Sequence, residues 1–471
     1  MEKLEKRYGL PTAICMVVGT VIGSGVFFKA QNVLAATGGD MPLGILAWVI
    51  TGLLMIFCAL QFAQMGTRYG RVSGVVDYAE ATCGKSYAYY LAWFLANIYY
   101  PGMTSVLAWV SARYFGVLFG WSMLGPEVLM LAGFFLIASY TMNAFSPKLA
   151  GRFQIAATVI KLIPIALMAV VGTVVGFLNG TLTDNFSNVV TEVVGGSGTG
   201  LLAAIVATVF AYEGWICATS INAELKNAKR NLPLALVIGS LVVVVAYVFY
   251  YIGVAGGATN QVLIEEGATT AFTNIFGGIG GTLLNICIVV SCLGTLNGLM
   301  VAATRGMYAI SCRGEGPKPE MFGQIDKSTN MVTNSSVWGL FTCSIWLLYF
   351  YGANLTDGGW FGYFNFDSSE LPIITIYALY IPAFVRWMVM EKELGFVKRF
   401  LLPSLAIFSC LVMVVAAVYA HGITPFLKAQ ANGTFSFPVL FYLIVFGVIM
   451  AVGTYFQKPK NKMTEIEHGD E

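Results

Sequence analysis

Two long apolar segments, at matching points in the two halves of this chain, are each interrupted by glycine. The first runs from Leu10 to Ala36 and is broken at Gly23-Ser24-Gly25; the second runs from Leu201 to Ala223 and is broken around Tyr212-Glu213-Gly214. A helix that unwinds inside a lipid bilayer leaves peptide groups that hydrocarbon cannot pair, so such a break persists only where it lines a cavity or binds something polar. Matching breaks in two halves of a chain indicate the substrate site of a transporter.

The composition supports a membrane protein. Of the 471 residues, 57% are hydrophobic and 11% are charged, an apolar content above that of soluble domains. The net charge of +2 is small, and the basic residues form no run or face that could follow a phosphate backbone. We therefore predict an all-α membrane protein that does not bind nucleic acid.

At about 20 apolar residues per span, the sequence predicts twelve transmembrane helices. Their predicted ranges are 10–36, 42–65, 87–118, 127–144, 153–178, 199–224, 233–256, 269–304, 335–352, 361–390, 399–420 and 436–456. Both ends and alternate loops contain 22 of the 26 lysine and arginine residues, whereas the opposite loops contain only Lys428. By the positive-inside rule, the basic loops and both termini are predicted to be cytoplasmic.

Helices 1 to 5 and 6 to 10 are predicted to form two five-helix units, each beginning with a broken helix. Because five is odd, the second unit enters from the opposite side, which gives an inverted repeat. The predicted organisation is a cytoplasmic N-terminus (1–9), a transport core (10–391), helices 11 and 12 (392–456) and a cytoplasmic tail (457–471).

Several other classes of function lack support in the sequence. None of the nine cysteines falls in a predicted outer loop, so no disulfide framework is expected. The two histidines, His421 and His468, lie in separate places and do not indicate a metal site; no metal and no cofactor are expected. There is no nucleophile and base set for an enzyme, and no charged ring or filter sequence for a channel.

The first break offers chemistry suited to a zwitterion. Freed amides at Gly23-Ser24-Gly25 lie near the positive end of the outer half-helix, which favours a carboxylate. Carbonyls released near Phe210 and Ala211 on helix 6 could accept hydrogen bonds from an ammonium group. The alternative is that these glycines only permit tight helix packing.

Three segments together resemble one known family, the L-amino acid transporter branch of the amino acid-polyamine-organocation (APC) superfamily. The segments are Gly19 to Phe27, Phe210 to Trp215 and Glu224 to Pro233. The resemblance is closest to bacterial neutral amino acid exchangers of that branch and covers about residues 5–455. It implies a LeuT-type fold, a 5+5 inverted repeat plus two C-terminal helices, which exchanges L-amino acids across the plasma membrane by alternating access without sodium.

The resemblance also implies roles for individual residues. Those that match the helix 1 segment holding the substrate carboxylate and part of its amine are Thr20, Ile22, Gly23, Ser24 and Gly25. Phe210 matches the aromatic residue that closes over bound substrate as the outer gate. The residues that match the helix 6 break, which meets the amine and the side chain, are Ala211, Glu213 and Gly214.

Lys161 lies in the apolar run from Val159 to Pro164, about 15 Å into helix 5 at 1.5 Å per residue. An intramembrane lysine is costly unless it meets a partner or water. In the resembling family this position holds a lysine whose ammonium replaces the sodium ion of related symporters, and we expect Lys161 to couple the helix 1 break to substrate occupancy. The alternative is a lysine that extends to the membrane interface.

Glu213 departs from the plain pattern of the family, in which glycine or another small residue is common at this position, although an acid also occurs. A carboxylate in a midplane cavity could bind a cationic side chain, bind the substrate amine, or titrate. It could also point into a wet vestibule and have no binding role. A proton-coupled symporter, or an exchanger that also accepts cationic amino acids, is therefore the alternative to sodium-independent exchange of small neutral substrates.

Substrate preference depends on the pocket wall, whose candidate residues are Tyr99, Tyr100, Trp215, Ser291 and Asn297, with Tyr377 and Thr295 as further possibilities. Hydroxyls on helix 8 could instead bond their own helix. Bulky walls favour small substrates such as alanine, serine, threonine and cysteine. Mammalian relatives join a glycoprotein through a cysteine after helix 3, but Gly120 to Pro126 contains none. We expect no disulfide-linked heavy chain and a functional monomer.

Overall fold

The structure, a computed structural model, describes residues 9–69, 74–122, 124–145, 147–191, 197–215, 225–326, 332–356 and 359–457. This part of the chain is built from helices. In chain order they are α1 (Leu10–Val21), α2 (Gly25–Ala36), α3 (Met41–Arg68), α4 (Val75–Cys83), α5 (Lys85–Phe94), α6 (Tyr100–Val117), α7 (Pro126–Phe145), α8 (Pro147–Ile160), α9 (Leu162–Leu167), α10 (Thr173–Leu178), α11 (Thr181–Ser187), α12 (Ser197–Tyr212), α13 (Ala228–Ala255), α14 (Asn260–Glu266), α15 (Ala268–Ser311), α16 (Pro319–Phe322), α17 (Thr333–Asn354), α18 (Leu371–Met390), α19 (Leu402–Val418), α20 (Thr424–Ala431) and α21 (Pro438–Phe456).

Short π-helical turns join several of these helices into longer rods. They lie at Leu95–Tyr99, Met168–Gly172, Val397–Leu401 and Tyr419–Ile423. Within the described residues, nine helical segments are long and apolar enough to cross a membrane, and the bent pair α1 and α2 makes a tenth. The chain is thus an all-helical, multi-pass membrane protein.

The two other predicted spans correspond to α5–α6 and to α12. The α5–α6 rod is buried along almost its whole length. Because other helices surround it, it can hold more hydroxyl and amide groups than a lipid-facing helix. In contrast, α21 buries only Val439, Tyr442 and Gly453 and is almost wholly apolar. Helix α12 is shorter than a full span, and residues 216–224, where its predicted continuation falls, lie outside the described residues.

The predicted start of helix 10 at 361 is wrong. Helix α18 begins at Leu371 because Asp367 folds the preceding segment into a polar turn. The Asp367 carboxylate accepts hydrogen bonds from the backbone N–H groups of Ser369 (2.7 Å) and Glu370 (3.1 Å). The predicted start of helix 8 at 269 is confirmed, because α15 begins at Ala268; Gly277, at φ 74°, kinks the helix and separates its first turns from the long segment that follows.

Small residues let the central helices pack closely. A Cβ atom at Gly253 in α13, or at Gly256 directly after it, would collide with the backbone carbonyls of Met168 and Gly172 in the π-helical turn after α9. Glycine is therefore required at both positions for this backbone contact. The contact fixes the rod that carries Lys161 against α13.

Charged contacts join the helix ends on the side of the membrane at which α1 begins, which we call the N-terminal face. Arg68 Nε lies 2.5 Å from Glu391 Oε2, and the Tyr69 hydroxyl donates to Glu391 Oε1 at 2.6 Å. Burial, together with this hydrogen bond to Glu391, raises the pKa of Tyr69, so its hydroxyl stays protonated. These contacts link the end of α3 to the end of α18.

Candidate functional site

The first apolar segment forms two half-helices separated by a break. Helix α1 ends at Val21 and α2 begins at Gly25, with a bend of 50° between them. Ile22 has an extended backbone, and its N–H still bonds the Val18 carbonyl at 2.9 Å. The first turn of α2 has N–H groups without intrahelical partners, which makes this end of the half-helix suited to an anion.

The second break lies directly against the first. Helix α12 ends at Tyr212, and Gly214 follows with φ 106°, a conformation that residues with a side chain rarely adopt. A Cβ atom at Gly214 would lie 2.7 Å from the Thr20 carbonyl oxygen. One at Gly25 would collide with the backbone of Ala211. Glycine at both positions therefore allows the two interrupted segments to touch.

Tyr247, on α13, bridges the two breaks, and sequence reasoning missed it. Its buried hydroxyl lies 2.9 Å from the Val21 carbonyl and 2.9 Å from the Ala211 carbonyl. These carbonyls lie in the last turns of α1 and α12 and would otherwise lack partners. The carbonyl of Ala211, predicted to be free for an ammonium, is thus already engaged. One tyrosine among many in an apolar helix gives no sequence signal of this role.

Replacing Tyr247 with phenylalanine is expected to lower the free energy of unfolding by about 1 to 3 kcal/mol, because buried carbonyls lose their donor. Thermal unfolding of the detergent-solubilised protein measures the change. Tyr455→Phe is the matched control, since Tyr455 is 84% exposed on α21. Equal unfolding temperatures for the two variants would contradict the bridging role.

A cavity of about 570 Å³ lies at the point where the breaks meet. The predicted site residues that line it are Thr20, Gly23, Ser24, Gly25, Tyr99, Tyr100, Phe210, Glu213, Gly214, Thr295 and Asn297. The side chains of Ile22, Ala211, Trp215 and Ser291 are buried and are not part of its wall. Trp215 instead packs on Phe62, with its indole N–H directed to the Tyr377 hydroxyl at 3.4 Å.

The cavity extends towards the N-terminal face. Asn143, Gln154 and Arg305, which the sequence did not indicate, belong to its wall on this side. Asn143 donates to Asn297 at 2.8 Å, and Asn297 donates to Gln154 at 3.2 Å, so amide groups from α7, α8 and α15 form a polar strip. Arg305 is exposed, whereas Leu107 and Phe210 at the other end are buried. Among the described residues, the cavity is therefore open towards the N-terminal face and closed at its other end.

Glu213 presents a carboxylate to the cavity. The Tyr99 hydroxyl donates to Oε1 at 2.5 Å, and Oε2 is buried with no hydrogen-bond partner in the described part of the chain. Tyr99 closes the π-helical turn between α5 and α6, a distortion that frequently occurs at functional sites. A buried carboxylate oxygen without a partner is expensive. It is therefore available to a donor on a ligand or to a proton.

Lys161 lies in a one-residue turn between α8 and α9 and is buried. Its ammonium donates a hydrogen bond to the Gly19 carbonyl in the last turns of α1. The side chain therefore does not extend to the membrane interface, and that alternative is wrong. A fixed positive charge instead lies beside the C-terminal end of α1, where the helix dipole favours a cation.

Three ionisable groups lie together beyond Phe210, on the side opposite the N-terminal face. Lys29 Nζ lies 2.6 Å from Glu370 Oε1, and His421 Nε2 lies 2.9 Å from Glu370 Oε2. Burial alone would raise the pKa of Glu370, but Lys29 and His421 more than offset burial and lower it to about 2. Sequence reasoning did not connect Lys29 or His421 to their shared partner, which lies just ahead of α18.

Comparisons with known proteins agree with this architecture. The model of the amino acid permease family matches residues 8–453. The chain is 32% identical to the serine/threonine exchanger SteT of Bacillus subtilis, over 84% of this chain and 86% of SteT. It is 29% identical to the b(0,+)-type amino acid transporter 1 of Mus musculus, over 66% and 64% of the two chains. It is 24% identical to the human cystine/glutamate transporter, over 89% and 81%.

The fold also has a solved counterpart. The crystal structure of MhsT in complex with L-phenylalanine superposes with a TM-score of 0.53 at 16% identity, covering 89% of this chain and 100% of MhsT. This likeness shows a LeuT-like fold. The family match and the bacterial relative confirm the resemblance that the three sequence motifs indicated. The chain belongs to the amino acid permease family of the APC superfamily, with L-amino acid transporters among its relatives.

Proposed function

We propose that this amino acid transporter exchanges small neutral L-amino acids, such as alanine, serine, threonine and cysteine, by alternating access without sodium. One observation carries the proposal: the cavity at the two helix breaks is open towards the N-terminal face and closed by Phe210 and Leu107 on the other. A cavity of this kind belongs to one of the two states that alternating access requires. The exchange activity of SteT supports the same assignment.

The proposed substrate site uses backbone groups for the zwitterion. The amides of Gly25 and Val26, at the start of α2, bind the carboxylate, and the Ser24 hydroxyl, which has no partner in the described structure, adds a donor. Carbonyls in the last turns of α1 and α12 that Tyr247 leaves unoccupied bind the ammonium. Ile22 and Ala211 contribute through the backbone, and Phe210 is the gate over the substrate.

Sodium independence rests on Lys161. Its ammonium holds the Gly19 carbonyl, in the place that a sodium ion fills in symporters related to the family that the sequence resembles. Because the charge is covalently attached, no ion gradient is consumed.

The proposed topology has twelve spans, two inverted five-helix repeats within 10–391, and both termini in the cytoplasm of a bacterial cell. Residues 1–8 and 458–471, which hold most of both termini, lie outside the described residues.

Counterflow in proteoliposomes tests the proposal. Each amino acid is trapped inside in turn, and uptake of a labelled amino acid is followed with and without imposed sodium and pH gradients. We expect uptake only with a small neutral amino acid inside, and no response to sodium. Uptake into empty liposomes, or driven by a gradient, would contradict exchange. Full activity of the purified single chain would agree with a monomer that needs no heavy chain.

A second candidate function follows from Glu213. Its carboxylate oxygen without a partner could bind the ammonium or guanidinium of a cationic side chain, or a proton. This would make the protein an exchanger that also accepts cationic amino acids, or a proton-coupled transporter. Tyr99 fixes the carboxylate towards the cavity in either case.

Arginine and ornithine are then expected to compete for uptake, and Glu213→Gln to weaken that competition by about tenfold, because a charge-assisted hydrogen bond is lost. Competition with unlabelled arginine in the counterflow assay measures the change. Glu320→Gln is the control, because Glu320 is exposed on α16 and not part of the cavity wall. Competition that is absent in the wild type would exclude the cationic function.

A further inference from the structure

The connection between α18 and α19 carries basic side chains that have no acidic partner. Its two acids, Glu391 and Glu393, both pair with Arg68 at the end of α3, at 2.5 Å and 3.2 Å. Within the described part of the chain, four neighbouring basic residues form no ion pair. We call them the basic corner: Arg386, Lys392 and Lys398, which are exposed, and Arg399, which is half-buried. The corner lies on the N-terminal face.

Hydrogen bonds fix the shape of the basic corner against the last turn of α18. The buried indole of Trp387 donates to the Lys398 carbonyl at 3.1 Å, and Arg399 Nε donates to the Met388 carbonyl at 2.9 Å. Trp387 also packs edge to face on Tyr69, with ring centroids 5.7 Å apart. The backbone at Lys398 and Arg399 is therefore fixed, and two like charges stay next to each other, which favours a bound anion.

Exposed apolar side chains surround these charges. Phe396 is 71% exposed and Phe400 is 38% exposed, and their ring centroids are 5.9 Å apart. Arg399 Cζ lies 4.6 Å from the centroid of the Phe400 ring, within cation–π range. The other exposed apolar residues here are Val385, Val389, Met390, Val397 and Leu401. A surface that is both basic and aromatic, at the ends of two spanning helices, matches the headgroup region of a bilayer.

From these observations we propose that the basic corner binds the anionic headgroup of a phospholipid in the leaflet at the N-terminal face. Its lysine and arginine side chains contact the headgroup phosphate, arginine through paired donors and lysine as a point charge. Phe396 and Phe400 pack against the upper parts of the acyl chains. A zwitterionic headgroup fits less well, because its own ammonium group is repelled by the corner.

A lipid explains this surface better than a soluble anion or a second copy of the chain. Free phosphate would use the charges but leave Phe396 and Phe400 in water. A symmetric pair of chains would place the same patch against itself, so unpaired cations would face unpaired cations. The proposed exchange function is not needed for this inference, which concerns the lipids that surround the protein.

The test measures thermal unfolding of the purified full chain in detergent as short-chain phosphatidylglycerol, an anionic lipid, is added. Phosphatidylcholine of the same chain length and sodium phosphate are the comparison probes. We expect phosphatidylglycerol to raise the unfolding temperature in a saturable way, and the other two probes to have little effect. Anything that binds the folded state alone stabilises it in this manner.

The informative variant replaces both Lys392 and Lys398 with glutamine. Neither lysine side chain makes a hydrogen bond within the described residues, since Lys392 bonds through its backbone N–H and Lys398 through its carbonyl, so the variant is expected to fold normally. The half-saturating concentration of phosphatidylglycerol is expected to rise about thirtyfold, which corresponds to about 1 kcal/mol for each basic residue removed near a membrane surface. Phe396→Ala is expected to weaken binding as well, because apolar contact with the chains is lost.

The matched control replaces Lys85 and Lys226 with glutamine, which removes the same charge from two exposed lysines at the start of α5 and ahead of α13. An equal loss of binding in this control would show a response to overall charge and overturn the proposal. Equal stabilisation by phosphatidylcholine or by sodium phosphate would do the same. Native mass spectrometry counts the bound lipids; a dimer that forms without lipid and is lost in the Lys392 and Lys398 variant would assign the surface to a second copy instead.

Discussion

Replacing Lys161 with alanine is expected to slow amino acid exchange by about tenfold to a hundredfold, because a charge-assisted hydrogen bond to a buried carbonyl is lost. The Gly19 carbonyl that the ammonium holds lies in the last turns of α1, two residues before Val21, where α1 ends at the break. Without the ammonium, this carbonyl remains buried and the end of α1 loses its only fixed cation among the described contacts. We expect the break to lose its geometry and the substrate to bind more weakly.

Initial rates of counterflow, normalised to the amount of folded protein, measure this effect. Lys161→Met keeps most of the apolar stem and is expected to behave like the alanine variant, whereas Lys161→Arg keeps the charge and is expected to retain part of the rate. Lys428→Ala is the control for loss of an exposed lysine. Wild-type rates in Lys161→Met would exclude the ammonium from the mechanism.

Replacing Gly25 with alanine is expected to have the second large effect. The new Cβ atom would collide with the backbone of Ala211, which cannot move aside as a flexible side chain can. Overpacking of this kind costs about 1 to 3 kcal/mol. Because Gly25 begins α2 and Ala211 lies at the end of α12, the collision separates the two breaks that form the site. We expect substrate affinity to fall by at least about tenfold.

Substrate-dependent thermal stabilisation measures that affinity without requiring transport. Gly133→Ala on α7 is the matched control, since a Cβ atom there meets nothing within 4 Å. Adding Ala211→Gly to Gly25→Ala is not expected to rescue binding, because the collision is with the Cα atom of Ala211 as well as its side chain. A rescued double variant would show that the side chain alone keeps the helices apart.

The sequence predicted those parts of the fold that follow from local pattern. Glycines within the first apolar segment indicated the break between Val21 and Gly25, and apolar length indicated most of the membrane helices. The start of α18 was missed because aromatic residues near 361 continue the apolar pattern, while the Asp367 turn that precedes the helix is a local hydrogen-bond effect. The burial of α5–α6 could not be read from hydropathy, since polar residues inside a bundle resemble those of a loop.

The parts of the site that sequence reasoning missed depend on contacts between distant residues. Lys29 and Glu370 are 341 positions apart, and Tyr247 meets carbonyls on two other helices. A lysine in an otherwise apolar half-helix does signal that a buried partner exists, but it does not identify that partner. The carbonyl that Lys161 contacts is likewise a product of how α1 and α8 pack, which no single segment determines.

The π-helical turn at Leu95–Tyr99 makes the helix that follows sensitive to the number of residues before it. Such a turn holds one residue more than an α-helical turn, and each α-helical residue rotates the chain by about 100°. Deleting one residue there would swing Met103 and Leu107 away from the cavity and bring a different side chain opposite Glu213. A single insertion or deletion at this point would thus change the residues of the pocket wall while the packing of the other helices stays the same.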